Sequence, residues 1–189
     1  KKKLYFSFFT KKTLNIINVG RFTDQKDHMT LLKSINVVSK KIPLKLLIIG
    51  RGTNQTQMEN YISLNRLSKI IKILPFQKNP FNYIIKSDLF VLTSKFEGLP
   101  NVLLEAISLK KFVISSNCPT GPKEILKNGK YGFLFKVGNA NMLSKKIEDF
   151  YKNKKKMIKK INKAYRSLNR FDYSYNLSKY FNLINKYCE

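Results

Sequence analysis

The sequence has few of the residues that build metal and disulfide sites. Its 189 residues include two cysteines, Cys118 and Cys188, and one histidine, His28. Two cysteines cannot form a framework of several disulfide bridges, and one histidine leaves little for a mixed Cys/His metal site. A reducing cytoplasm is therefore the expected location of the protein.

The sequence also lacks a long hydrophobic run, since stretches such as residues 44–49 are short or interrupted. A membrane-spanning helix needs about 20 apolar residues. Residues 1–10 have a basic start but no full apolar region and no small-residue cleavage pattern, so we predict neither a signal peptide nor an anchor there. The sequence does not begin with Met, which leads us to expect a fragment of a longer chain.

Acidic residues are scarce, because 11 Asp and Glu stand against 37 Lys and Arg, for a formal net charge of +26. Lysine supplies 32 of the basic residues, and Asn and Ile are also abundant, a bias that an AT-rich genome produces. We therefore predict no specific nucleic-acid partner, although attraction to polyanions or anionic membranes is expected. Contents of 43% apolar and 13% aromatic residues exclude a wholly disordered polycation.

Short apolar, β-rich stretches alternate with helical segments, and the length suits one domain. This alternation is typical of a parallel sheet that is buried on both faces. We predict an α/β fold, a doubly wound, Rossmann-like parallel sheet of about six strands, with a ligand crevice at the carboxyl ends of the strands. The predicted strands are residues 14–19, 44–49, 70–74, 88–92, 112–115 and 132–135. The predicted helices are residues 27–40, 57–67, 80–86, 101–109, 122–127 and 141–151.

The loop after the first strand carries a glycine and two cations, Gly20, Arg21 and Lys26. Glycine lets a ligand approach the backbone, and cations beside a helix N terminus suit a diphosphate. Solvated surface charges are the alternative. After the second strand, residues 50–52 predict only a flexible turn, and the absence of a full GxGxxG motif and of an acidic residue there argues against an NAD-dependent dehydrogenase.

The loop after the fourth strand places two carboxylates at different levels of the crevice. Glu97 and Gly98 precede the next helix, Pro100 suits its start, and Glu105 lies further along it. The free backbone N–H groups of residues 98–101 suit an anion, and carboxylates accept hydrogen bonds from sugar hydroxyls. The alternative is that Glu97 caps the helix and Glu105 is a solvated helix residue.

Taken together these motifs resemble the C-terminal half of family 4 (group 1) glycosyltransferases, over residues 14–150. That family has the GT-B architecture of two facing Rossmann-like domains, of which the second holds the nucleotide-sugar. The most specific part of the resemblance is the spaced glutamate pair with its Gly and Pro. The residues that carry it are Gly20, Arg21, Lys26, Glu97, Gly98, Leu99, Pro100, Asn101, Glu105, Ala106, Gly121, Pro122, Lys123, Glu124, Ile125, Asn128, Gly129 and Gly132.

The resemblance implies a retaining hexosyl- or N-acetylhexosaminyltransferase that uses an NDP-sugar, with UDP-sugar favoured. Three catalytic residues are expected: Arg21 and Lys26 on the donor diphosphate and Glu97 on the transferred sugar. No cofactor or metal is expected, and the sequence has no Asp-x-Asp motif that would bridge a metal to the diphosphate. The donor-binding residues it implies, with Glu105 on the ribose and residues 73–76 beside the base, are Gly20, Arg21, Lys26, Leu74, Phe76, Glu97, Gly98, Leu99, Pro100, Asn101 and Glu105.

Some positions depart from the family pattern. Lys110 and Phe112 stand where the family often has Gly and Pro, and Pro75 stands where a Gly often precedes the base-binding loop. The N-terminal acceptor domain of the family has no counterpart here, so a separate domain is an expected partner. We expect an interdomain linker at residues 1–13, the nucleotide-sugar domain at residues 14–150, and two helices at residues 151–189.

Those last residues suggest a second function. The segment from Lys152 to Lys163 predicts a lysine-rich helix with a narrow apolar stripe, and the final helix carries an apolar row that implies a packing partner. A polyanion or membrane-surface binding module is therefore one alternative, and an inactive glycosyltransferase remnant is another. The resemblance implies a cytoplasmic bacterial enzyme of surface polysaccharide synthesis, peripheral to the inner face of the plasma membrane, with a glycan or lipid-linked acceptor.

Overall fold

Six strands form one parallel sheet in the computed structural model, which describes residues 8–187. Cys188 and most of the N-terminal segment at residues 1–10 lie outside the described residues. The strand order is β3-β2-β1-β4-β5-β6, and all neighbouring strands are parallel. The predicted strands are confirmed to within one residue at each end: β1 (Leu14–Val19), β2 (Leu44–Ile49), β3 (Ile71–Leu74), β4 (Leu89–Leu92), β5 (Phe112–Ser116) and β6 (Phe133–Phe135).

The helices follow the predicted order, and all but two of their ends lie within two residues of the prediction. The second helix ends early because Arg66 adopts a left-handed φ of 57° and the Leu67 N–H bonds back to the Ile62 carbonyl at 2.9 Å. The helix predicted to end at residue 151 continues to Arg166, with a kink at Asn153. The helices are α1 (His28–Val38), α2 (Gln55–Leu64), α3 (Phe81–Lys86), α4 (Asn101–Ser108), α5 (Pro122–Ile125), α6 (Ala140–Arg166) and α7 (Tyr173–Tyr187), with short 3-10 turns at Asp24–Lys26 and Ser167–Phe171.

Both faces of the sheet are buried, because the strands are apolar in nearly every position. On one face α1, α2 and the first half of α6 cover the sheet with residues such as Leu31, Met58 and Ile147. On the other face α3 and α4 contribute residues such as Ile84 and Leu103. The sheet therefore lies between two packed layers of helices.

The strand order reverses direction between β1 and β4. These strands are neighbours in the sheet although about 70 residues separate them, and the chain leaves them toward opposite sides. In sheets of this kind the ligand crevice opens where the order reverses, outside the carboxyl ends of the strands. The loops that follow β1 and β4 therefore border the expected crevice.

The second half of α6 runs along the opposite edge of the sheet. Its Lys154 ammonium lies 2.5 Å from the carboxylate of Asp88, which directly precedes β4. The helix is kinked at Asn153, whose side chain donates to the Asp149 carbonyl at 3.2 Å. The expected boundary at residue 151 thus falls inside one helix, two residues before its kink.

The last helix, α7, has no buried residue. Its predicted apolar row, including Leu177, Phe181 and Ile184, is exposed along its length. Within residues 8–187 this face has no packing partner.

Candidate functional site

Hydrogen bonds join the loop after β1 to the loop after β4. The backbone N–H of Lys95 donates to the Gln25 carbonyl at 2.7 Å, and the Gln25 side chain donates to the Phe96 carbonyl at 3.0 Å. The hydroxyl of Thr93 donates to the Lys26 carbonyl at 2.8 Å. The two loops at the point of strand reversal are therefore held as one unit, which fixes the side chains that project from it.

An ion pair between Lys26 and Glu97 bridges these two loops. The Lys26 Nζ lies 2.5 Å from Glu97 Oε1, and the side chains are only 14% and 7% exposed. The Ser94 hydroxyl donates to the same carboxylate oxygen at 2.6 Å. Within the described residues Oε2 of Glu97 accepts no hydrogen bond, and the ammonium keeps two further N–H donors. The pair can thus offer both an acceptor and donors to a ligand.

The structure excludes the alternative that Glu97 caps α4. The N-cap residue of α4 is Pro100, in an extended conformation, and no side chain caps the helix. Glu97 instead faces Lys26, and a methyl group placed on Gly98 would meet no atom within 4 Å. Gly98, Leu99 and Asn101 are exposed around the start of α4, where the N–H groups and the helix dipole favour an anion.

The loop after β5 packs tightly against the same region. Gly121 has a φ of +77°, and a Cβ there would overlap the Gly98 carbonyl. The Thr120 hydroxyl donates to the Glu97 carbonyl, and the Ser116 hydroxyl donates to the Ser94 carbonyl at 2.6 Å. Glycine at position 121 lets this third loop support the backbone that carries Glu97 and Gly98.

A cavity of about 430 Å³ opens beside these loops, at the carboxyl ends of β1, β2 and β3. Four of the predicted donor-binding residues line it: Gly20, Arg21, Phe76 and Glu105. Arg21 is exposed and forms no ion pair within the described residues, while burial raises the pKa of the Glu105 carboxyl. Glu105 is thus a partly buried cavity residue rather than the solvated helix residue of the alternative interpretation.

The other predicted donor-binding residues do not line this cavity. Leu74 packs against the apolar cluster on the α4 face, and its carbonyl accepts from the Gly50 N–H at 3.1 Å. The rest lie in the neighbouring β1 and β4 loops already described; they are Lys26, Glu97, Gly98, Leu99, Pro100 and Asn101.

Sequence reasoning missed several cavity residues. Arg51 lines the cavity with its guanidinium 5.5 Å from the centre of the Phe76 ring, a favourable cation–π distance. Its position directly after β2 was the feature that could have indicated a place at the cavity. The residues between β3 and the start of α3 carried no such indication; they are Gln77, Lys78, Pro80 and Phe81.

Residues 50–52, for which the sequence predicts only a flexible turn, pack closely against the loop after β1. A Cβ on Gly50 would overlap the Gly20 carbonyl, and one on Gly52 would overlap the backbone of Phe22. The Phe22 N–H donates to the Arg51 carbonyl at 2.9 Å. These glycines allow two loops to pack backbone against backbone, which holds Arg51 at the cavity.

His28 lies buried directly beneath the β1 loop. Its Nε2 lies 3.0 Å from Oδ1 of Asn18, whose amide donates to the Val91 carbonyl at 2.8 Å, so Nε2 carries the proton. Desolvation by burial, and secondarily the Lys26 charge, lowers the His28 pKa to about 4. Nδ1 of His28 and the Thr23 hydroxyl are the buried polar side-chain atoms without a partner in the described part of the chain.

The lysine-rich segment from Lys152 to Lys163 is confirmed as helical and lies on α6, away from the cavity. Across residues 8–187, no three His, Cys, Asp or Glu side chains form a group that could hold a metal ion. Nor does any helix in this range have the length and hydrophobicity that crossing a bilayer requires.

Comparison with known proteins adds a family and a set of relatives. Residues 4–167 match the family model described as glycosyl transferases group 1. An uncharacterized glycosyltransferase of Methanocaldococcus jannaschii is 39% identical over 149 residues, which cover 71% of this chain and 36% of that protein. A Campylobacter jejuni protein, N-acetylgalactosamine-N,N'-diacetylbacillosaminyl-diphospho-undecaprenol 4-alpha-N-acetylgalactosaminyltransferase, is 30% identical over 150 residues, or 75% of this chain and 40% of the relative.

Solved structures share the fold. Anabaena HepE, crystallised in complex with UDP, superposes with a TM-score of 0.83 at 19% identity, over 93% of this chain and 49% of that one. The predicted architecture, a Rossmann-like sheet that forms half of a GT-B fold, is thereby confirmed. The chain spans well under half the length of the two curated relatives above, at 36% and 40%.

Proposed function

The chain belongs to the group 1 glycosyltransferases, and we propose that it is the donor-binding part of a retaining enzyme of the family 4 type. Its donor is an NDP-sugar, with UDP-sugar favoured, and it transfers a hexosyl or N-acetylhexosaminyl group. The observation that carries this proposal is the cavity at the carboxyl edge of the sheet, where an aromatic ring, a cation and a carboxylate come together in Phe76, Arg21 and Glu105. A nucleotide presents a base, a diphosphate and a ribose to such groups.

Each of these groups suits one part of the donor. The exposed Phe76 ring, with the Arg51 guanidinium beside it, offers a stacking surface for the base. Glu105 accepts hydrogen bonds from the ribose hydroxyls, and the unpaired Arg21 binds the diphosphate. The presence of UDP in the Anabaena HepE complex supports uridine as the nucleoside.

The Lys26–Glu97 pair serves the reacting end of the donor. Lys26 uses one N–H for Glu97 and retains two for phosphate oxygens, while the free Oε2 of Glu97 accepts from hydroxyls of the transferred sugar. Negative charge grows on the leaving diphosphate as the glycosidic bond breaks, and Arg21, Lys26 and the open N terminus of α4 stabilise it without a metal. The acceptor hydroxyl bonds to the anomeric carbon on the face from which the diphosphate leaves and gives its proton to an oxygen of the leaving phosphate, so the configuration at the anomeric carbon is kept.

We place the acceptor side in the part of the relatives that the match to this chain does not cover. The Campylobacter relative is named for transfer to a sugar on diphospho-undecaprenol, which supports a lipid-linked or glycan acceptor in polysaccharide synthesis. The exposed apolar row of α7 offers a packing surface to a separate N-terminal domain. We expect the chain alone to bind nucleotide-sugars and to transfer them poorly.

Calorimetric titration of the chain with UDP, UDP-sugars and GDP-sugars tests this proposal. Arg21→Ala and Glu105→Ala should each weaken UDP binding by about tenfold or more, since each removes a charged partner of the ligand. Arg66→Ala and Glu59→Ala, which change the same residue types on or beside α2 outside the cavity, should leave the affinity within about twofold. Unchanged affinity in both cavity variants would contradict the site, and no binding of any nucleotide by the native chain would favour an inactive remnant.

A further inference from the structure

The two halves of α6 differ sharply in charge. Residues 140–150 contain two lysines, one glutamate and one aspartate, whereas residues 151–166 contain seven lysines and one arginine and no acidic residue. No acidic residue follows until Asp172. Lysine is common throughout this chain, but this half of one helix carries it without the carboxylates that accompany it in the other half.

Two cavities border the second half of α6, and both are lined by cations. One, of about 880 Å³, is lined by Lys130, Lys159, Lys160, Lys163 and Arg166 and by no carboxylate. The other, of about 790 Å³, is lined by Lys110, Lys111, Lys152, Lys154, Lys155 and Lys156. Its one carboxylate, Asp88, is already paired with Lys154 at 2.5 Å. Neither cavity supplies its own counterions.

An apolar row lies among these cations. Ile158 and Tyr165 lie seven residues apart on α6 after its kink, so they share one side of the helix. Tyr151, just before the kink, lines the same cavity as Ile158, and the three side chains are 40% (Tyr151), 55% (Ile158) and 43% (Tyr165) exposed. The Lys110 ammonium lies 4.9 Å from the centre of the Tyr165 ring. Tyrosine with an adjacent lysine is typical of side chains that lie at the level of lipid headgroups.

We propose that the second half of α6 docks the protein on an anionic lipid surface. The lysines lie against the headgroup phosphates, and the row of Tyr151, Ile158 and Tyr165 enters the headgroup layer. Charge alone would suit any polyanion, but an exposed isoleucine gains nothing from a free phosphate or from a nucleic-acid backbone. A lipid surface is the anionic partner that interacts favourably with both the lysines and the apolar row.

This docking leaves the nucleotide cavity accessible. The cavity lies at the carboxyl ends of the strands, while α6 reaches Asp88 and Lys111 at the amino-terminal edge of the sheet. The lipid contact and the nucleotide contact therefore use opposite edges. We expect nucleotide affinity to be the same with and without vesicles, so this inference stands or falls separately from the proposed function.

Vesicle sedimentation tests the lysines. The native chain should bind phosphatidylcholine vesicles that contain 40% phosphatidylglycerol, and should not bind pure phosphatidylcholine vesicles. Lys155, Lys156 and Lys159 are exposed and form no hydrogen bond or ion pair in the described structure, so their joint change to Glu should lower the partition coefficient by at least ~30-fold while the melting temperature is kept. Changing Lys33, Lys40 and Lys69 to Glu alters the net charge equally elsewhere and should have an effect of about threefold or less. Equal effects of the two triple variants would overturn the proposal.

A second variant separates lipid from other polyanions. Ile158→Asn should lower partitioning onto the anionic vesicles by about fivefold, because it removes apolar surface that the lipid buries. Leu64→Asn, a matched change at an exposed leucine on α2, should leave partitioning unchanged. If Ile158→Asn has no effect on vesicles and the chain binds duplex DNA with the same lysine dependence, the face is a general polyanion site and the lipid proposal is wrong.

Discussion

The two edges of the sheet arrange their charges in different ways. At the carboxyl edge a cation is paired with a carboxylate and largely buried, as in Lys26–Glu97, and three loops pack backbone against backbone around it. At the amino-terminal edge the ion pairs lie at the surface, as in Lys41–Glu148, and most lysines of the second half of α6 have no partner in the described residues. Charge at the first edge is positioned, which suits the binding of one small anion. Charge at the second edge is spread over a face, which suits an extended anionic surface.

The largest expected effect concerns His28, the histidine that is buried at the carboxyl edge. Burial lowers the His28 pKa in the fold to about 4 from its ordinary value of 6.5. Between these values the unfolded chain binds more protons than the folded chain, so stability is complete above pH 6.5 and falls as the pH drops toward 4, by up to roughly 3 kcal/mol. Urea unfolding at a series of pH values measures this loss.

His28→Gln is the control for that titration, since an amide side chain can still donate to Asn18 but does not titrate. The variant should be less stable than the native chain at pH 7 and should lose much less stability between pH 6.5 and 4. An identical pH dependence in both proteins would mean that other groups, the carboxylates foremost, control acid unfolding.

The next prediction compares one ion pair from each edge. Glu97→Ala leaves the Lys26 ammonium without its partner at a site where it is only 14% exposed, which should cost about 2 kcal/mol. Glu148→Ala removes the partner of Lys41, which is 55% exposed, and should cost about 0.5 kcal/mol or less. Urea midpoints of the two variants give the comparison. Costs that agree within error would show that the two edges do not differ in how they hold charge.

Sequence reasoning predicted the sheet well because strands such as Leu44–Ile49 are nearly continuous apolar runs between turns. It failed where one residue's backbone decides the outcome. The early end of α2 depends on the left-handed Arg66. The lysine-rich helix was predicted, but the boundary expected at residue 151 falls inside α6, which continues through a kink at Asn153.

The candidate site was predictable to a similar extent. Arg21 follows the first predicted strand and Glu105 lies on the helix that follows the fourth; the crevice rule brings these regions together, and the structure places both residues at one cavity. The direct contact of Lys26 with Glu97 was not predictable, because it depends on hydrogen bonds between two loops about 70 residues apart in sequence. Phe81 joins the cavity only through the course of the chain after β3.

The smallest expected effect tests whether residues with a left-handed backbone conformation have different roles at the two edges of the sheet. Arg66 closes α2 at the amino-terminal edge with a φ of 57°, and its exposed side chain forms no ion pair or hydrogen bond within residues 8–187. Arg66→Gly should therefore raise stability by roughly 1 kcal/mol, whereas Arg66→Ala, which keeps a Cβ, should not. Asp27 at the carboxyl edge also has a positive φ, of 45°, but its carboxylate accepts from the Thr30 N–H at 3.2 Å and caps α1. Asp27→Gly should leave stability nearly unchanged in the same urea titration, because the lost cap offsets the relief of strain. A gain as large as that of Arg66→Gly would mean that the Asp27 cap contributes nothing, and that at these positions the two edges differ in charge alone.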